Sequence, residues 1–186
     1  PQGTQYKYSG VNAFILSWLV EDIMNMPFQD AVSKEIWSKM GAESDASILA
    51  PRYGVPIAHG GLLARSRDVA RFGLLYTPSY TKISDSQIIS DRMIDLILND
   101  KNPNLTLKAN KAGQLPPDFS HSGYLWDAVY TNDDFYRGGW AGQGLLINPT
   151  KDIVAVYTGY AIDPQESQPD LLPILRQVLN NVFSNQ

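Results

Sequence analysis

The chain has 186 residues, 44% of them hydrophobic and 18% charged, enough for one domain that buries about 70% of its unfolded surface. A formal net charge of −4 with 15 scattered basic residues excludes the cationic footprint of a nucleic-acid binder. The absence of Cys excludes disulfides and thiolate metal sites, and apolar runs such as Phe14 to Val20 are too short to span a bilayer.

The first half reads as helical. Val11, Phe14, Ile15, Trp18, Leu19, Ile23 and Met26 recur at three- and four-residue spacing, with Glu21, Asp22 and Asn25 on the other face. Pro27 suits the first turn of a second helix built on Phe28, Val32, Ile36 and Met40, which Gly41 stops. A loop with Pro51, Gly54, Pro56, Gly60 and Gly61 follows. Ser66 is a good N-cap for a helix through Val69, Phe72 and Leu75, and Ser90 for another through Met93, Ile94, Ile97 and Leu98. Residues 100–120 are polar and carry Pro103, Pro116 and Pro117. A stretch of that length inside a domain is often functional, so it reads as a surface excursion bordering a site.

The last third changes period. Tyr124, Trp126, Ala128 and Tyr130 alternate with Leu125, Asp127 and Val129 as a strand does. Gly142 to Asn148 and Ile153 to Tyr160 make two more, joined by the turn Asn148-Pro149-Thr150-Lys151-Asp152. Asp133 and Asp134 read as a hairpin tip. A closing helix uses Leu171, Leu172, Leu175, Val178, Leu179, Val182 and Phe183. The order implies an α+β fold: a mainly helical subdomain over 1–120, then part of an antiparallel sheet with its packing helix over 121–186. Three strands make a thin layer, and the sheet is expected to continue in strands outside the chain.

Four segments carry a family resemblance. The opening, Gly3-Thr4-Gln5-Tyr6-Lys7-Tyr8-Ser9-Gly10-Val11-Asn12, resembles the tyrosine element of the β-lactamase-like, penicillin-recognising serine hydrolases. That superfamily includes class C β-lactamases, DD-peptidases, esterases and 6-aminohexanoate-oligomer hydrolases. Ile36-Trp37-Ser38-Lys39-Met40-Gly41-Ala42-Glu43 and the stretch from His59 to Gly73 resemble two of its structural signatures. Arg137-Gly138-Gly139-Trp140-Ala141-Gly142-Gln143-Gly144 resembles its third catalytic element, a Lys/His-x-Gly triplet on the strand lining the site. The resemblance implies a truncated β-lactamase/transpeptidase-like fold and a bacterial-type protein. It puts Tyr8 on the catalytic tyrosine and Arg137 in the cationic position. It makes Gly138 and Gly139 the close-approach glycines and the amide of Trp140 an oxyanion donor. Gly10 stands where many members have Asn.

Acyl transfer needs an activated hydroxyl, a proton shuttle to the leaving group and donors for the developing oxyanion. In the family the hydroxyl is a Ser followed three residues later by Lys, sharing a helix face, and the tyrosine links that pair to the leaving group. A free tyrosine titrates near about 10, so it needs cations nearby to act as a base. Lys7 precedes Tyr8 but points the opposite way on an extended segment. The chain begins with Pro1 rather than Met, and the nucleophile segment is expected upstream. A signal peptide would lie there too, leaving the location open between periplasmic or secreted and cytoplasmic.

A literal Ser-x-x-Lys does occur, Ser79-Tyr80-Thr81-Lys82. It follows the tyrosine element instead of preceding it and sits behind Pro78 among turn-formers, so it reads as a surface loop. His59 and His121 are 62 positions apart and suggest no metal site; no cofactor is implied. Tyr124, Trp126, Tyr130 and Trp140 fit sheet core or a cleft wall. The resulting expectation is the C-terminal part of a hydrolase for small amide or ester substrates, leaning to esterase or amidase and inactive without its upstream segment. The rival is a non-catalytic binding domain on the same scaffold. A third reading, a hydrolase built on Ser79 and Lys82, is weaker.

Overall fold

Apolar periodicity in the first half does produce helices. The computed structural model describes residues 8–100, 115–140, 142–159 and 171–183. Among these, α1 spans Gly10–Met24, α2 Phe28–Glu35, α3 Ser66–Leu74 and α4 Asp91–Asn99. α1 ends at Asn25, which adopts φ 50°, a left-handed conformation that Asn tolerates better than most residues. Pro27 sits just before α2, its carbonyl accepting the Asp30 and Ala31 N–H groups. The apolar spacing from Phe28 to Met40 predicts one helix, but α2 stops at Glu35. Ile36 leaves helical angles (φ −125°, ψ −64°), and a 3-10 turn over Trp37–Lys39 completes the segment. That break lets the Trp37 indole N–H donate to the Ser44 carbonyl at 2.9 Å. Gly41 is the stop the sequence suggests, at φ +63°, and a Cβ there would fall 2.8 Å from the Ile83 carbonyl oxygen.

The two serine caps come out differently. Ser90 caps α4, its Oγ accepting the Met93 N–H at 3.2 Å. At α3 the cap position is Arg65, and Ser66 makes no side-chain cap. The anchoring falls instead to Asp68 in the first turn, which is wholly buried and accepts the Glu43 N–H at 2.8 Å. A carboxylate suits the positive end of a helix, and here it also ties the loop after Gly41 to α3.

After a two-residue ladder, β1 (Ser47–Ile48) with β2 (Leu62–Leu63), the last third forms an antiparallel meander. Its strands are β3 (Phe119–Gly123), β4 (Trp126–Tyr130), β5 (Phe135–Gly139), β6 (Gln143–Asn148) and β7 (Ile153–Thr158), in sheet order β3-β4-β5-β6-β7. Helix α5 (Leu172–Phe183) closes the chain. The expected β6–β7 hairpin is present. Two strands were not anticipated, because β3 reads Phe-Ser-His-Ser-Gly and β5 ends on two glycines, so neither alternates. β4 also begins two residues later than its alternation suggests. Tyr124 and Leu125 take φ 51° and 66°, making a turn usually left to Asn and Gly. Asp133 is at a hairpin tip (φ 68°), but Asp134 is buried.

The sheet separates two packed layers. Trp126, Phe135, Leu145 and Ile147 join Met40, Leu75, Tyr76 and Ile97 on one face. Ala128, Tyr130 and Leu146 meet Leu172 on the other. α3 lies close on β7 because position 73 is glycine; a Cβ there would come within 2.6 Å of Val154. Tyr76 stacks edge-on against Trp126 and Phe135, and burial pushes its phenol up to about 12.

Candidate active site

Strand alternation decides where Arg137 points. Phe135, two residues earlier on β5, belongs to the layer shared with α3 and α4, so Arg137 projects to that same side. Beyond the end of the packed core it meets Tyr8, immediately ahead of α1. Arg137 Nη2 donates to the Tyr8 hydroxyl at 3.2 Å, and its guanidinium carbon lies 5.8 Å from the Tyr8 ring centroid. These two residues are separated by 129 positions and come from the two segments singled out by sequence. Tyr8 is 66% exposed, so its ring and hydroxyl are open to a partner.

A third residue, Asp127 on β4, escaped the sequence reading. Val129 pairs with Phe135 and Ala128 with Tyr136; just past that ladder, where β4 carries an irregularity between Val129 and Trp126, Asp127 comes within reach of Arg137, and charges across neighbouring strands interact. Its Oδ1 accepts Arg137 Nη1 at 2.7 Å, and its Oδ2 accepts the Gly138 N–H at 2.7 Å. Arg137 Nη1 also donates to the Leu125 carbonyl at 2.9 Å. One carboxylate therefore fixes both the guanidinium and the strand backbone beside it, leaving the other guanidinium edge for Tyr8. The only hint in the sequence is a single charge inside the otherwise apolar run Trp126 to Tyr130. Its partner depends on register, which alternation alone does not fix.

The remaining site residues lie around this pair. Gly139 ends β5, and a Cβ there would come within 2.7 Å of Gln143 Oε1. Trp140 follows in the turn, 88% exposed, so the aromatic ring is not sheet core. Tyr124 likewise leaves the core: it sits in the β3–β4 turn, and its hydroxyl donates to Asp100. That hydrogen bond raises the phenol above its ordinary value. The departure at Gly10 has a spatial counterpart. A Cβ at position 10 would lie 3.1 Å from the His59 ring, which in turn stacks edge-on against Phe14 at 5.2 Å. His59 thus occupies the space a larger residue 10 would need. Residues Gly3 to Lys7 lie outside the described residues.

Other candidates fall elsewhere. Ser79 is in a 3-10 turn over Pro78–Lys82, where its Oγ donates to Asp152 Oδ2 at 2.7 Å. Asp152 is in the β6–β7 turn, at the end of β6 away from the residues paired with Arg137 and Gly138. His121 is buried, with Nε2 2.9 Å from the Ile97 carbonyl oxygen. A cavity of about 770 Å³, bordered by Pro116, Asp118, Tyr130, Leu172 and Arg176, opens beside α5 on the opposite side of the sheet from Arg137. Among the described residues no group of three His, Asp or Glu side chains could hold a metal ion, and no helix is long and apolar enough to cross a membrane.

No family model matches the chain. It is 24% identical over 160 residues, 86% of its length, to a 6-aminohexanoate-dimer hydrolase of Paenarthrobacter ureafaciens, of which it covers 40%. Its fold matches a Bacillus anthracis chain assigned as a 6-aminohexanoate-dimer hydrolase with a TM-score of 0.74 and 22% identity, covering 100% of this chain and 47% of that one. It matches a Mycobacterium bovis β-lactamase with a TM-score of 0.67 and 18% identity, covering 97% and 65%. The chain thus spans less than half the length of the two proteins named for 6-aminohexanoate dimers.

Proposed function

We propose, on the premise that the chain carries the C-terminal portion of the β-lactamase-like serine hydrolase fold, that it supplies the proton relay and oxyanion strand of an enzyme cleaving amide or ester bonds. The observation that carries this reading is the Arg137 hydrogen bond to an exposed Tyr8 hydroxyl. A hydroxyl oxygen held by a fixed cation can release its own proton and be stabilised as the anion, which can then take a proton from a neighbour, as a relay requires.

The nucleophilic Ser, with its Lys, is contributed by a part of the protein outside these residues. With its own proton already released, the Tyr8 oxygen takes the serine proton as Oγ attacks the substrate carbonyl, then gives it to the departing amine or alcohol as the C–N or C–O bond breaks and is an anion again. Arg137 stabilises the tyrosine oxygen while it bears the charge. The acyl-enzyme forms and water releases it by the same route in reverse. The Trp140 amide is assigned as one oxyanion donor; the Gly138 amide is already engaged by Asp127 and holds the strand instead. The departure at Gly10 and the arginine at 137 favour an esterase or amidase over a β-lactamase. Two relatives are named for hydrolysis of a 6-aminohexanoate dimer, which favours a small amide as substrate.

Nitrophenyl esters and a fluorophosphonate probe test this directly. The 186-residue chain should neither hydrolyse nor become labelled, whereas the longer protein should do both. Tyr8→Phe in that longer protein should lower turnover by about 10²- to 10⁴-fold, the usual worth of positioned acid–base catalysis. Labelling of the 186-residue chain itself would overturn the assignment. A longer protein with no Ser-x-x-Lys would point to a binding domain.

A further inference from the structure

α1 has the composition of a buried helix and the surface of an exposed one. Apart from Gly10, its polar residues are Asn12, Ser17, Glu21 and Asp22. A helix so apolar around its circumference belongs inside a protein. At 100° per residue, Ala13, Phe14, Ser17, Val20 and Met24 share one side, and all are buried or half-buried. The opposite side presents Val11, Ile15, Leu16, Trp18, Leu19 and Ile23, every one exposed, with Asn12 and Asp22 as the polar residues among them; Trp18 is 60% and Ile23 70% accessible. Scattered exposed apolar residues need no explanation, but six on one side of a single helix mark an interaction face.

We infer that this face of α1 is the seat of the nucleophile-bearing portion of the same polypeptide, an inference that rests on the hydrolase reading above. Three observations select that occupant. The chain covers only 40% and 47% of two of its relatives, so more than half of their length has no counterpart here. Tyr8 lies two residues ahead of α1, so a segment seated along the helix runs to the tyrosine hydroxyl, where the serine is required. The face is also unsuited to a lipid surface. α1 contains no Lys or Arg, the residues that flank interfacial helices, and its open side carries Asp22. The occupant therefore presents an apolar surface, as the interior of one domain does.

Thiol protection tests the inference, since the chain has no Cys of its own. Ile15→Cys and Ile23→Cys probe the open face at two independent positions, and Ser33→Cys, exposed on α2, is the control. Maleimide labelling is followed by peptide mass in the 186-residue chain and in the longer protein. All three positions should label rapidly in the 186-residue chain. In the longer protein, positions 15 and 23 should slow by roughly 100-fold or more, as groups in a closed interface do, while position 33 stays fast. Unchanged labelling at 15 and 23 would overturn the seat, as would the absence of any longer polypeptide. Protection that appears in the 186-residue chain with rising concentration would overturn it in favour of a second copy. Nitrophenyl-ester hydrolysis by the same longer protein keeps the two ideas separate: activity without protection sinks only the seat, and protection without activity sinks only the hydrolase.

Discussion

Two arginines in this molecule are built from the same parts and differ in what surrounds them. Arg176 on α5 donates to Asp118 and, through Nε, to Asp134 at 3.2 Å, and its guanidinium lies 3.6 Å from the centroid of Tyr130. Arg137 on β5 donates to Asp127 at 2.7 Å and lies 5.8 Å from the centroid of Tyr8. The Arg176 side chain is 12% exposed and that of Arg137 31%. Tyr130 is buried where Tyr8 stands open. In the first cluster Asp134 is further bonded by Asn148 and Asn132, and the group fastens the helix to the sheet, with Asp118 and Arg176 bordering the cavity beside α5. In the second, the carboxylate holds the arginine from one side and leaves its tyrosine unburied. The first cluster buries its tyrosine and serves structure, whereas the second leaves a tyrosine hydroxyl open to solvent, the property on which the proposed relay rests.

The sharpest way to break this contrast is to remove each arginine in turn. Arg176→Ala leaves Asp134 buried without its cation, and should cost about 3 kcal/mol, the lower part of the range for a broken buried pair. Arg137→Ala removes a solvent-screened pair and should cost below about 1 kcal/mol. Urea unfolding of both variants measures the difference; equal costs would remove the distinction between the two clusters. On the hydrolase reading, Asp127→Asn is next in size. It weakens the hold on Arg137 while preserving shape, so it should lower turnover of the longer protein by about 10- to 100-fold, as losing a supporting partner does at other sites. Its KM should change little. A loss confined to KM would move Asp127 from positioning the relay to binding substrate.

How far the sequence anticipates these clusters differs for the same physical reason. The helices, the α+β order, the β6–β7 hairpin and the Ser90 cap follow from local period and local hydrogen bonding, and all are legible. Tyr8 and Arg137, the pair on which the proposed site rests, stand out in the sequence because each sits in a motif. Asp127 and Asp134 do not, since each acts through a partner that local pattern does not specify: Arg137 on the neighbouring strand, set by register, and Arg176 on a helix 42 positions on, set by packing on the sheet. Asp134 reads as a turn residue by its neighbour Asp133 and its polarity, while its burial is decided by α5. β3 and β5 are missed because Ser, His and Gly carry no alternation, even though their neighbours in the sheet order them. The open face of α1 is a different case. Its helical spacing is legible, but which of its faces is covered is not, and the described residues cover only one side of it.

Acid should weaken the Arg176 cluster. The hydrogen bond from Arg176 holds the Asp118 carboxyl below its ordinary value of 3.8, against an opposing push from partial burial. A carboxyl lowered in the folded state stabilises the fold above its unfolded value and loses that contribution as pH falls through the folded one. Stability should therefore drop below about pH 4, and Asp118→Asn should remove that part of the drop. Asp118 is partly exposed, so after discounting for solvent screening the effect is about 1 kcal/mol or less. Urea midpoints at pH 6 and pH 3 report it. A wild-type and Asp118→Asn difference that does not change with pH would mean the contact contributes packing alone.

The smallest expected effect separates look-alike chemistry from the proposed site. Ser79 and Lys82 have the spacing of a nucleophile and its base, yet Ser79 is fully engaged elsewhere. Its N–H and Oγ both donate to Asp152, at 3.1 and 2.7 Å. Burial alone would raise the Asp152 carboxyl, but hydrogen bonds from Ser79 and Thr77 outweigh it and hold the group below its ordinary value. A serine donating its proton to an ionised carboxylate is oriented away from a base, and Lys82, three residues on, is exposed. Ser79→Ala should cost about 0.5–1 kcal/mol, the worth of an ordinary hydrogen bond, because Asp152 keeps the amide of residue 79. Hydrolysis of nitrophenyl esters by the longer protein should be unchanged. Loss of that activity in Ser79→Ala, with the urea midpoint barely moved, would transfer the nucleophile to this turn and leave Tyr8 and Arg137 as an open salt-bridged corner of the sheet.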